Sequence, residues 1–138
     1  MAEGADLPED DQSIADDVWA LRRVHPSQVH HGRPDSSVFK KDPDGLGTSV
    51  TLSLSPVDLQ IIKAGYDPHG VVAVQVGAFR ALGLGILYTF EEGNPNHCEV
   101  FGPRGKSAQK QLSTGAKWVV RPEGYDESAM PDTFDPQM

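Results

Sequence analysis

One cysteine, Cys98, stands in 138 residues. A lone thiol closes no internal disulfide, and such sparing use points to a reducing compartment. No run of about 18 apolar residues occurs, so the sequence offers no membrane-spanning helix. The opening MAEGADLPEDDQ lacks the basic start and apolar run of a signal peptide. The expectation is therefore a cytoplasmic protein with no membrane partner. Hydrophobic residues make up 38%, below the usual globular share. The shortage is concentrated at the two ends, and the middle is an ordinary core-forming sequence. A chain of this length fits one domain and can bury a core without disulfides or metals.

Basic residues are also scarce: 12 Lys and Arg against 20 Asp and Glu, for a net charge of −8. Nucleic-acid binding draws most of its affinity from phosphate contacts and needs a basic face, so no extended nucleic-acid partner is expected. The acid is unevenly spread, however. Residues 1–17 hold seven acids and no Lys or Arg, and the segment after Pro122 holds five more. Setting those twelve aside leaves eight acids against twelve bases between Val18 and Arg121, a mildly basic middle.

Residues 1–16 read as a disordered acidic arm. Val18 to Val24 is mostly apolar, bounded by His25-Pro26, and reads as the first strand. The run from Ser36 to Lys40 reads as a short edge strand. Asp42-Pro43-Asp44-Gly45-Leu46-Gly47 carries strong turn chemistry. Ser49 to Leu54 alternates strictly, with Val50, Leu52 and Leu54 on one face and Ser49, Thr51 and Ser53 on the other, as a half-buried strand does. Ser55-Pro56 with Asp58 opens a helix that buries Val57, Ile61 and Ile62 and stops at Gly65. Asp67-Pro68 repeats the start signal. Val72, Val76, Phe79 and Leu82 then recur at helical spacing up to Gly83, which predicts a helix over 68–82, although the β-branched residues there favour a strand. Gly85–Phe90 and His97–Phe101 read as strands around a turn at 91–96. A helix over 107–114, closed by Gly115, leads to a last short strand at 117–120. The sum is a small single α+β domain over 17–122, with about five short strands, three helices and a flexible tail over 123–138.

Three groups of residues carry candidate chemistry. Arg33 with Ser36 and Ser37 offers a guanidinium fork and two hydroxyls, suited to a carboxylate, phosphate or ribose. The same residues also suit an Asx or Ser turn, with Arg33 paired locally. Arg22 and Arg23 are neighbours on the first strand, so a half-buried strand turns one of them inward, where it must be paired. On an edge strand both heads would reach water. His97 and Glu99 share a strand face as an acid/base pair, while Cys98 faces the other way as a small buried apolar residue. His25, His30 and His31 lack the spacing of a zinc site, and no metal is expected. Gly105-Lys106-Ser107 mimics the end of a phosphate loop, but Val100 stands where that motif needs its first glycine.

The ordered set Leu21-Arg22-Arg23-Val24-His25-Pro26, Arg33-Pro34-x-Ser36-Ser37-x-x-Phe39, Ser49-Val50-x-Leu52, His97-x-x-Val100-x-Gly102 and Trp118-Val119-Val120-x-Pro122 resembles a group of small uncharacterised bacterial proteins, over roughly residues 19–122. That resemblance implies no activity. A second similarity, to ADP-ribosyltransferase-like toxins, rests on Arg22 or Arg23, then Ser49, Thr51 or Ser53, then His97-x-Glu99-Val100 before Pro103 and Gly105. It implies NAD as cofactor and Arg22, His97 and Glu99 as catalytic residues. The leading expectation is a non-enzymatic accessory protein without a cofactor. It would bind a partner protein or a small anionic ligand through Arg33, Ser36, Ser37 and Arg23. The alternative is the NAD-dependent transferase.

Overall fold

The computed structural model describes residues 8–43, 46–125 and 134–136. Eight strands and three α-helices occur among them. Strand β1 is Trp19–Val24, and a short ribbon follows from β2 (Val29–His30) and β3 (Arg33–Pro34). Then come β4 (Thr48–Leu52), α1 (Pro56–Lys63), β5 (Gly70–Gln75) and α2 (Val76–Ala81). The chain ends with β6 (Gly85–Tyr88), β7 (His97–Phe101), α3 (Lys106–Gly115) and β8 (Lys117–Val120). Six strands form one sheet in the order β6-β7-β4-β1-β5-β8, every pair antiparallel. This is the small α+β domain expected, with more strands than the five anticipated.

The sheet buries both faces. Ala20, Val24, Val50, Leu52, Val72, Val74, Cys98 and Val100 line the larger core and meet Val76 and Phe79 of α2, Leu112 of α3, and Val38 and Phe39. Leu21, Val71 and Ala73 form a smaller core under Ile62 of α1. Double burial explains the main departure from the sequence reading. Val71, Val72, Ala73 and Val74 are all buried, because β5 lies between β1 and β8 with α1 on one side and α2 and α3 on the other. A strand covered on both faces shows a continuous apolar run without alternation. The helix expected over 68–82 is therefore only its last part, α2, where Gly83 closes the turn at φ +83°.

Two further expectations give way. The run Ser36–Phe39 is a 3-10 turn, not an edge strand, because the Asp35 side chain accepts from the Ser37 N–H and hydroxyl and caps it. Leu54, expected on the core face of the strand, lies beyond β4 and faces solvent, as does Val57 of α1, while Asp58 and Ile62 of α1 are buried. The Asp58 carboxylate accepts from the N–H groups of Leu54 and Ser55, both at 2.9 Å, and from Asn96 Nδ2 at 2.8 Å. That set of donors makes its burial tolerable.

The acidic arm is ordered from Asp10 onward. Arg80 of α2 reaches back to Asp10 (2.8 Å), Asp16 (2.7 Å) and the carbonyls of Ile14 and Asp11. Ile14 is buried in the main core. Asp11 donates its N–H to the Ile86 carbonyl, and Asp10 accepts the Ile86 N–H, so the arm covers the open edge of β6. At the opposite edge the Phe134 N–H donates to the Trp118 carbonyl, and the Phe134 ring packs on Trp19 with centroids 4.7 Å apart. Within the segments expected as a disordered arm (1–16) and a flexible tail (123–138), residues 10–16 and 134–136 make these contacts. Residues 1–7, 126–133, 137 and 138 lie outside the described residues.

Removing residues 1–16 should lower the melting temperature by about 5 °C or more. It strips away a buried Ile side chain, worth roughly 1.5–3 kcal/mol. A thermal melt of the truncated chain that matches the full chain would place the arm off the core.

Candidate functional site

Arg22 and Arg23 point to opposite faces of β1, as alternation requires. Arg22 goes to the side of the main core. Its Nε donates to the Val38 carbonyl (2.9 Å), Nη1 to the Ser49 carbonyl (2.9 Å) and Nη2 to Asp42 (2.9 Å). Asp42 also accepts the Ser49 N–H at 2.9 Å. Burial pushes the Asp42 carboxyl upward, but the hydrogen bond and charge of Arg22 and the Ser49 amide outweigh it and hold it below its ordinary 3.8. Arg104 sits close by, with its guanidinium donating to the Thr48 hydroxyl and the Val100 carbonyl. Burial pulls the Arg104 guanidinium below its ordinary value, and Asp42 opposes that pull.

Arg22 takes the place of a ladder bond. The pairing of β1 with β4 spans only Ala20↔Leu52 and Leu21↔Thr51, whereas β1 pairs with β5 over six residues. Past Leu21 the two strands separate, and a cavity of about 90 Å³ lies there. Arg22, Arg23, Ser49, Val50, Thr51 and His97 line it from the sheet, Ile62 from α1, and Glu91 and Asn94 from the loop between β6 and β7. A wider chamber of about 380 Å³ shares Arg23, Glu91 and Asn94 and adds Tyr66, Glu92 and Ala64. Together they make one cleft between the C-terminal end of α1 and the 91–94 loop.

Arg23 is the cation of this cleft. Its Nη1 donates to the Ile62 carbonyl at 3.0 Å, and its Cζ lies 3.7 Å from the centroid of the Tyr66 ring. That stacking fixes the guanidinium plane. Tyr66 also meets the edge of His69 at 5.1 Å. Burial, then His25, Arg23 and Lys63, hold the His69 imidazole below its ordinary value. On the opposite wall, Asn94 is 8% exposed. Its Nδ2 donates to the Thr51 hydroxyl at 3.0 Å, and its Oδ1 has no donor. His97 holds Nδ1 against the Thr89 carbonyl and hydroxyl, both at 2.8 Å, and turns Nε2 toward Glu91 at 3.8 Å.

The structure separates the residues the sequence grouped. Arg33 lies on the far side of the sheet from this cleft. One of its terminal nitrogens donates to the carbonyls of Ser113 (2.9 Å), Thr114 (2.6 Å) and Ala116 (3.0 Å). A cation there satisfies carbonyls at the end of α3 and opposes the helix dipole. Ser36 and Ser37 belong to the 3-10 turn capped by Asp35, whose carboxyl is held below 3.8, most by the Ser37 hydroxyl. Ser36 and Ser37 thus take the turn-forming role that the sequence allowed as their other reading, whereas Arg33 pairs with no local acid and instead ties β3 to the end of α3. His97 and Glu99 do not act on a common atom. Glu99 accepts the N–H groups of Leu46 (2.5 Å) and Gly47 (2.9 Å) and clamps the loop that leads into β4. Gly47 is needed at that clamp, since a Cβ there would fall 1.9 Å from the Val100 carbonyl oxygen. Cys98 is fully buried, and burial pushes its thiol up to about 12, which leaves no thiolate to act as a nucleophile. Among the described residues no group of three or more His, Cys, Asp or Glu is placed to hold a metal. No described helix is long and apolar enough to cross a membrane.

Sequence reasoning found Arg23 but missed Glu91, Asn94 and Tyr66. The run Glu91-Glu92-Gly93-Asn94 reads as a polar turn, and only the fold brings it opposite Arg23. In comparisons with protein-family models, curated proteins and solved structures, nothing matches this chain.

Two outcomes follow from this geometry. Arg33→Ala should cost about 1 kcal/mol, a melting-point drop of a few degrees, while leaving the amide resonances of the 91–97 segment in place. Movement of those resonances would tie Arg33 to the cleft. Asp42 has a depressed carboxyl, so its contribution to stability is complete above pH 3.8 and is lost as pH falls through its lower folded-state value. An Asp42→Asn chain should be less stable at neutral pH, with a shallower loss of stability on acidification below pH 4. An acid titration of unfolding free energy with the wild-type slope would remove Asp42 from that role.

Proposed function

We propose that the protein is a cytoplasmic, non-catalytic binding module. It takes a small polar ligand with an anionic group in the cleft between α1 and the 91–94 loop, and Arg23 meets the anion. The observation that carries this reading is Arg23 itself. It is oriented by Tyr66 and the Ile62 carbonyl, it lines both chambers of the cleft, and it has no carboxylate partner among the described residues. Its neighbour Arg22 is consumed by Asp42. An oriented guanidinium facing a cavity is suited to a carboxylate or phosphate, which it meets with two parallel N–H bonds.

The sequence placed the ligand at Arg33, Ser36, Ser37 and Arg23. The hydrogen bonds of the first three favour Arg23. The transferase reading finds less support, because Glu99 is engaged by two loop amides and does not line the cleft. A carboxylate that must stabilise charge on a reacting sugar needs to face the substrate.

The test is a binding screen of small carboxylates and phosphates against the full chain by NMR, reading the resonances of Arg23, Asn94 and His97. Arg23→Ala should weaken the best binder about 10-fold or more, equivalent to loss of a charge-assisted contact of about 1.5–3 kcal/mol. Arg33→Ala should leave its affinity unchanged. Cleavage of NAD by the wild-type chain that vanishes in Glu99→Gln would replace this reading with the transferase.

A further inference from the structure

The cleft is not simply basic, and its acceptors define the other half of the ligand. We infer that it recognises a zwitterion of amino-acid size, with the carboxylate at Arg23 and the ammonium held by Glu91, Asn94 and His97. This rests on the binding reading above and makes it more specific.

The charges come first. Arg22 is paired with Asp42 at 2.9 Å, so Arg23 is the one uncommitted cation lining the cleft among the described residues. Glu91 lies in both chambers, and Glu92 joins it in the outer one. A plain anion would meet Arg23 but would also meet the field of these carboxylates. A ligand with charge of both signs uses both walls.

Hydrogen-bond counting points the same way. Nδ1 of His97 is engaged by the Thr89 carbonyl at 2.8 Å, a carbonyl accepts only, and so Nδ1 carries the proton. In the neutral ring Nε2 is then an acceptor. Glu91 presents Oε2 beside it, 3.8 Å away. Asn94 spends its Nδ2 on the Thr51 hydroxyl, which leaves Oδ1 as an acceptor with no donor in a side chain more than nine-tenths buried. An orphaned buried acceptor is costly and uncommon. Glu91, Asn94 and His97 together supply three acceptors, and an ammonium supplies three donors. The inner cavity of about 90 Å³ has room for an amino group and the carbon that bears it. A side chain can extend into the outer chamber along Ile61, Ala64 and Tyr66.

The experiment titrates the full chain with free L-amino acids. Each is run beside the carboxylic acid that lacks its amino group and the amine that lacks its carboxylate. Calorimetry gives affinity, and the Asn94 side-chain amide and His97 ring resonances give location. At least one amino acid should bind about 10-fold or more tightly than either fragment. Arg23→Ala should reduce its affinity to that of the amine, and Glu91→Gln to that of the carboxylic acid. Glu91 is largely exposed, so its substitution keeps the fold, and unchanged resonances in β5 and β8 check this. If carboxylic acids or inorganic phosphate bind as tightly as the amino acids, the zwitterion is wrong and the anion-binding reading stands. If no probe binds at about 10 mM, or amines alone match the amino acids, both readings fall.

Discussion

The sheet depends on how one inward-facing arginine is accommodated. Arg22 sits on a central strand, where a charge removed from water costs several kcal/mol unless it is paired and hydrogen-bonded. Asp42 and the carbonyls of Val38 and Ser49 meet that need. The solution has two structural consequences. It ties β1 to the turn at Val38 and to the loop before β4 through one guanidinium. It also replaces the β1–β4 ladder beyond Leu21, and this opens the cavity beneath α1. Stability and the candidate site thus have a common origin.

The acidic ends acquire a physical role in the same frame. An antiparallel sheet exposes unpaired N–H and C=O groups along its two outer strands, a template for unwanted pairing. Here Asp10 and Asp11 bond to both backbone groups of Ile86 on β6, and Phe134 bonds to Trp118 on β8. Each terminal segment covers one edge. Arg80 is the anchor on the β6 side. Its guanidinium is raised above its ordinary value: burial lowers it, but the hydrogen bonds it donates to Asp16 and Asp10 outweigh that effect. The excess acid of the first seventeen residues is partly neutralised by this one base.

What the sequence disclosed follows from which forces are local. Ser55-Pro56 with Asp58 marked the start of α1 correctly, since capping is decided within four residues. The strict alternation at Val50 and Leu52 located β4. The segment 70–75 misled, because its apolar run fits a doubly buried strand as well as a helix and only sheet order decides between them. Asp35 decided the fate of Ser36 to Phe39, a capping interaction that the pattern of apolar residues concealed. In the cleft, Arg23 was legible as a charge needing an explanation. Asn94 and Glu91 were not, because their meaning lies 68–71 residues away in sequence, across the sheet from Arg23. Ile14 was overlooked as a lone apolar residue in an acidic run, yet the core receives it.

The position of Glu99 bears on what kind of protein this is. A carboxylate that accepts two backbone amides has its charge stabilised by those amides, and withdrawing it would leave two loop donors unsatisfied, about 1–3 kcal/mol each where they are buried. The loop it holds is the one that carries Gly47 against Val100 and leads into β4. A catalytic role would require the same carboxylate to leave this clamp or to serve two tasks at once. Arg23 is under no such constraint. Its bond to Ile62 and its stacking on Tyr66 hold it in orientation without neutralising it. The chain has thus spent Arg22, Arg33, Arg80, Arg104 and Glu99 on architecture, while Arg23 stays ordered with no carboxylate partner among the described residues. Order without neutralisation lowers the entropy lost when a ligand arrives; Arg33 and Arg104 are likewise held by neutral acceptors, and what sets Arg23 apart is that it lines both chambers of the cleft.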